Sequence, residues 1–374
     1  MSFTADTTFG ASLRQGLTAA RSGDRRRLLQ VALQQMLLGL VPVVSILVLA
    51  ESQIRSPTSA LDFRNAYYVA ASAVLHGGDP YSWTHAQIAA GVAFVYPALS
   101  ALIYAPFALL PLSAACALVE LICIALAPLT LWALGVRDWR VYGASLMWLP
   151  VVSCWSTANE SILLVCMVAL VWRYRDRPWI AALLTATAIS LKPFIWPLVL
   201  WLLATRRWRA SLYTVLCGVV LNVVAWSIVG FNQIHAYLHA ADIDVQISWR
   251  TGYNLVALAA HLGLGRSVGE ALMVVVSAAL AVAIVYVAFI KHRELEALTL
   301  TIALMLTASA LVWNHYFALL LIPMALARPR FSWLWVLPLL MWFCPDYQTH
   351  GWQEAVGWIV AGTLLFTATR RASV

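Results

Sequence analysis

The chain has 374 residues, 62% of them hydrophobic and 11% charged, against about 25% charged in soluble proteins. That composition excludes a globular domain with a single anchor and predicts an all-α polytopic membrane protein. The net charge of +8 sits in small arginine clusters between apolar runs, and no basic tract with interleaved aromatic residues is present, which excludes nucleic acid as a partner.

Residues 1–24 are polar, without period, and read as a disordered cytoplasmic tail. Arg25, Arg26 and Arg27 close a 1–27 tail segment, and 28–371 form one integral membrane domain. The first apolar run, 28–50, is long for a cleavable signal peptide and further spans follow it, so it reads as an uncleaved helix. The arginines place the N-terminus inside and the loop 51–93 outside.

Within that loop, Leu61 to Tyr81 combines an acid, an arginine, paired tyrosines and a Gly-Gly-Asp-Pro stop. Phe63, Ala66, Tyr67, Ala70, Ala71, Val74 and Leu75 recur at helical spacing. Arg64, Asn65, Tyr68 and Ser72 lie off that stripe, so the spacing predicts an amphipathic helix at the membrane surface. Asp62 sits in its first turn, where the helix dipole favours a charged carboxylate. Ser59 and Asp62 also have the spacing of a capping box, in which the acid only satisfies backbone N–H groups.

Residues 94–110 are apolar but broken by Pro97 and Pro106, and 112–134 follow. Further apolar runs occupy 141–157, 160–172, 178–191, 193–205, 211–230, 267–290, 294–312, 316–327, 331–343 and 352–369. Arginine clusters fall at 137–140, 173–177, 206–209, 291–293, 328–330 and 370–371. Placing all of them inside puts the breaks at Asn159, Lys192 and His315 outside, together with Asp62 and the second polar loop, 231–265. Parity then requires 94–110 to dip or lie shallow, which gives about twelve spans with both ends cytoplasmic. Thirteen-residue pieces cover about 20 Å, less than the ~30 Å hydrocarbon core. The break residues would then lie below the outer surface, at the floor of a cavity.

Lys192 precedes Pro193, and a broken helix with an ammonium suits a phosphate; the alternative is a snorkelling lysine. His315 is able to take a proton or donate a hydrogen bond, or is a satisfied polar residue at a helix junction. Asn159 is a candidate for a substrate hydroxyl, and Glu160 a candidate helix cap. In the second loop Arg250 suits phosphate or sugar hydroxyls. His235 and His239, one turn apart, are a weak metal pattern without a third ligand, and no metal is expected. Trp83, Trp139, Trp179, Trp208 and Trp352 fall near segment ends, as interfacial anchors do. No Walker loop, Gly-rich dinucleotide motif or His-Glu-x-x-His is present, so nothing supports a nucleotide-driven cytoplasmic enzyme.

Asp62-Phe63 with Tyr67, Gly78-Asp79-Pro80-Tyr81, Phe94-Val95-Tyr96-Pro97, Leu191-Lys192-Pro193 before Arg206-Arg207-Trp208-Arg209, and Trp313-Asn314-His315-Tyr316 occur in that order. Together they resemble glycosyltransferase family 87, which is similar to the bacterial mannosyltransferases that extend phosphatidylinositol mannosides. Where that family often has Gly-Gln-x-Asn, only Asn159 matches. The resemblance implies a C-type glycosyltransferase fold in a bacterial plasma (inner) membrane. It also implies a polyprenyl-phosphate-sugar donor, mannose favoured, and a lipid or glycan acceptor on the extracytoplasmic face. Asp62 would be the general base, Lys192 would hold the donor phosphate, and His315 would assist at the acceptor or phosphate. Arg64 and Arg250 are further phosphate candidates, and Asn254, Tyr67, Asn314 and Tyr316 join Asn159 as substrate contacts. The lipid-linked sugar is a co-substrate and no cofactor is expected. A sugar-lipid transporter or flippase, and a glycan polymerase or ligase, are the competing readings.

Overall fold

The computed structural model describes residues 8–55, 59–344 and 350–371. They are helical throughout, without strands among the described residues. Four helices are long and apolar enough to cross a bilayer: Arg25–Ser52, Leu112–Ala133, Trp208–Val229 and Arg266–Ile290. A bent pair, Leu149–Ser156 and Ser161–Arg173, brings the number to five if it counts as one span. The remaining apolar helices, among them Pro178–Leu191, Pro193–Ala204 and Asn314–Ala327, are shorter. Against the about twelve spans expected, several of them short, the described residues form four or five helices of bilayer length and several shorter apolar ones. The polar breaks are the reason: each interrupts the helical ladder before it reaches bilayer length.

The N-terminal segment departs from the expected disorder. Phe9–Ser22 forms a helix, opened by the Thr8 side chain accepting from the Ala11 N–H and closed at Gly23 in the left-handed conformation. It packs on the start of the first span, and Phe9 meets the Trp139 ring edge-on at 5.2 Å. Behind it, the 36–40 turn of that span presses against Trp139–Leu146. A Cβ on Gly143 would stand 1.7 Å from the Leu38 carbonyl oxygen. In lipid no hydrophobic drive separates helix from acyl chain, so close backbone approach at a small residue is what holds such a pair together.

The arginine loops gather at one end of the bundle. Arg175 and Arg207 both bind Glu294, and Arg207 also binds Asp176. The Asp138 carboxylate pairs with Arg140 and accepts from the Phe331 N–H, while Arg173 donates to the Ala133 carbonyl. The 173–177 and 206–209 loops thus meet on Glu294, beside the 291–293 cluster, and Asp138 and Arg173 reach the ends of neighbouring helices. From there Ser161–Arg173 and Pro178–Leu191 run to the opposite end, where Asn159 and Lys192 sit. The 3-10 helix Asn314–Leu320 is buried in protein, the condition under which departures from the α-helical ladder are tolerated at membrane depth.

Candidate functional site

The site is assembled by the break between Leu149–Ser156 and Ser161–Arg173, whose axes differ by 118°. Ala158 turns the chain with φ +50°, and the Asn159 N–H returns to the Cys154 carbonyl at 2.8 Å. The bend leaves the carbonyls of Ser156 and Thr157 without helical donors. The backbone N–H groups of Ala60 and Asp62 fill them, each at 3.1 Å. This seam fixes the first turn of the 63–75 helix against the break and sets Asp62 beside Asn159.

Asp62 is therefore not a cap. Its side chain makes no capping bond, and the Ser59 hydroxyl donates instead to the buried Glu120 carboxylate at 2.6 Å. The Asp62 Oδ2 accepts from Asn159 Nδ2 at 2.6 Å. Asn159 Oδ1 in turn accepts from Lys192 Nζ at 2.9 Å, from the Ser161 N–H at 2.9 Å and from the Ser161 hydroxyl at 2.7 Å. With donors at one end and a carboxylate at the other, the amide has one workable orientation. The Lys192 ammonium also donates to Ser161 Oγ at 3.2 Å and lies 5.0 and 5.1 Å from the ring centroids of Tyr96 and Tyr316. Asp62 and Glu160 supply its counter-charge. Burial pushes the Asp62 carboxyl above the ordinary carboxylate range, and the Asn159 hydrogen bond and the Lys192 charge oppose that rise.

Asp62, Asn159 and His315 line one cavity of about 210 Å³, with Tyr96, Thr157, Ser153, Trp313 and Asp244. At about 30 Å³ per water that is room for roughly seven water molecules, close to the bulk of one hexose. His315 has its Nε2 buried without a hydrogen-bond partner among the described residues. Lys192 is not part of the wall; it stands one layer behind, acting through Asn159.

The other expected residues lie elsewhere. Tyr67 is buried and stacks on Tyr96 at 4.7 Å, and Tyr316 stacks on Phe194 at 4.4 Å. Asn314 donates to the Cys344 carbonyl. Asn254 caps Leu255–His261, accepting from the Ala257 N–H, so its role in the fold is structural. Arg64 donates to the Ser59 carbonyl, and Arg250 lies exposed over the Trp249 ring; neither lines the cavity. Of the tryptophans expected as anchors, Trp179, Trp208 and Trp352 are exposed. Asp244 was only one polar residue among several in its loop, and no local motif separates it from Asp242.

A polytopic helical membrane protein with a carboxylate, a carboxamide and an imidazole around one cavity defines the class. The model of glycosyltransferase family 87 matches residues 94–314, more than half of the chain. The chain belongs to that family, and its activity is glycosyl transfer. Comparison with curated proteins and with solved structures finds no match.

Proposed function

We propose that the protein transfers a hexose, mannose favoured, from a polyprenyl-phosphate-sugar to a lipid or glycan acceptor at the extracytoplasmic face. Asp62 takes the proton from the acceptor hydroxyl as that oxygen attacks C1 of the donor sugar. The C1–O bond to phosphate breaks, the polyprenyl phosphate leaves with the electron pair, and displacement from one face inverts the anomeric centre. Asn159 aims Asp62, and the Lys192 charge behind it opposes the rise that burial gives the Asp62 pKa and favours negative charge on the departing phosphate. His315 offers its unpaired Nε2 to the acceptor or a phosphate oxygen.

The observation that carries this reading is the shared cavity of Asp62 and His315, with the Asn159–Lys192 pair behind it, at the end of the bundle away from the arginine loops. Half-length helices support it further, since a lipid-borne phosphate needs a site below the membrane surface and reachable from lipid.

The test is reconstitution of the purified protein with a radiolabelled short-chain polyprenyl-phosphate mannose and a membrane lipid extract. Label should enter a new glycosidic product, and Asp62→Asn should abolish it. A folded Asp62→Asn protein with full activity would remove Asp62 as base. Transbilayer movement of the labelled lipid without new bonds would replace the reading by transport.

A further inference from the structure

Asp244 lies on Gln233–Ser248, the long helix of the second external loop. The helix is seated by Ala240 and Ile243, which pack with Ile88 and Ala93 as a small apolar cluster of their own, flanked by Trp83 and Val95. That contact joins the two external loops over the cavity, and Ile88, Ala93, Val95 and Asp244 all contribute to its wall.

A carboxylate in such a wall requires a reason. Asp244 lies near the C-terminal end of its helix and so cannot cap the N-terminal N–H groups. Its one hydrogen bond comes from the Ser248 hydroxyl to Oδ1 at 3.1 Å. Oδ2 has no partner among the described residues. Asp242, two positions earlier on the same helix, is exposed and accepts from Gln246, as an ordinary surface acid does. Asp244 instead is half-buried and faces a cavity of mixed lining, with Ile88, Ala93 and Val95 on its own side, where an ionised group gains from a hydrogen-bonding partner. It lies within electrostatic reach of Tyr316, whose ring is 5.1 Å from the Lys192 ammonium.

We infer that Asp244 is a sugar-binding residue, its open carboxylate oxygen accepting hydrogen bonds from hydroxyls of the sugar being transferred. The inference rests on the glycosyl-transfer reading above. Ionised carboxylates only accept, and sugar hydroxyls are donors suited to the carboxylate oxygen that Ser248 leaves open. The donor is the substrate that would reach Asp244: with its C1 beside the acceptor oxygen at Asp62, its ring hydroxyls would lie along the wall that Asp62 and Asp244 share.

The test uses full-length wild-type protein, Asp244→Ala and Asp244→Asn with short-chain polyprenyl-phosphate mannose and its four monodeoxy analogues. Asp244→Ala should raise the donor KM about ten- to a hundredfold, the range for a hydrogen bond to a charged group. The acceptor KM should hold. At least one deoxy donor should lose rate against wild type and lose little further against Asp244→Ala, and Asp244→Asn should fall between. Equal losses with every donor, or an unchanged donor KM, would show a merely structural residue and overturn the inference while leaving the transfer reading intact. No transfer by the wild-type protein from any of these donors would overturn both.

Discussion

Replacing Asn159 by alanine removes the one group that joins the proposed base to its cation. Of the four side-chain bonds lost, two link base and cation, Nδ2 to Asp62 at 2.6 Å and Lys192 Nζ to Oδ1 at 2.9 Å, and two come from the Ser161 N–H and hydroxyl. A hydrogen bond to a charged group is worth about 1.5–3 kcal/mol. If the Asp62 bond is needed to aim the carboxylate, its loss should lower kcat about ten- to a hundredfold at neutral pH. The same bond opposes the burial that raises the Asp62 pKa, so the acid limb of the pH–rate profile should move to higher pH. Asn159→Asp separates the two bonds. It keeps an oxygen for Lys192 and Ser161 but presents a second carboxylate to Asp62, and its acid limb should move further in the same direction. The assay is initial-rate transfer from pH 4.5 to 9 at saturating donor, with melting temperature in detergent as a check on folding. An Asn159→Ala protein with wild-type kcat and an unmoved acid limb would refute the Lys192–Asn159–Asp62 chain as a functional unit.

Further outcomes follow from the same geometry. Burial raises the Asp62 pKa, and a base works only when ionised, so transfer should fall as pH drops through that raised value. Stability runs the opposite way: the contribution of Asp62 is present below the ordinary carboxylate range and lost as pH rises through its folded-state value. Asp62→Asn should therefore lower kcat about 10²- to 10⁴-fold without lowering the neutral-pH melting temperature. Lys192→Met leaves Asp62 and Glu160 buried without their cation, and should cost both activity and about 3–5 kcal/mol of stability, read by thermal unfolding and transfer rate together. Gly143→Ala forces a methyl group into the Leu38 carbonyl. It should destabilise by about 1–3 kcal/mol or more, lowering the melting temperature while the donor KM of the folded fraction stays unchanged.

The sequence by itself determined the class, an apolar, polytopic, all-helical membrane protein. Apolar runs, proline breaks and arginine clusters are local signals, and the structure joins the 173–177 and 206–209 clusters through Glu294. It also singled out Asn159, Lys192 and His315, because a polar residue interrupting an apolar run is conspicuous wherever it folds, and Asp62 by its place at the start of an amphipathic helix and in a family-like motif. Tertiary structure alone decided which atoms meet. Asp62 and Asn159 are 97 positions apart, and their bond depends on a 118° bend whose angle no residue pattern encodes. Tertiary packing also left Lys192 behind the cavity wall and made Ser59 a partner of Glu120, whereas the Asn254 cap is a bond within its own helix turn. Asp244 reached the cavity because Ala240 and Ile243 found Ile88 and Ala93 across two loops, a packing choice among distant apolar groups to which the local chain is indifferent.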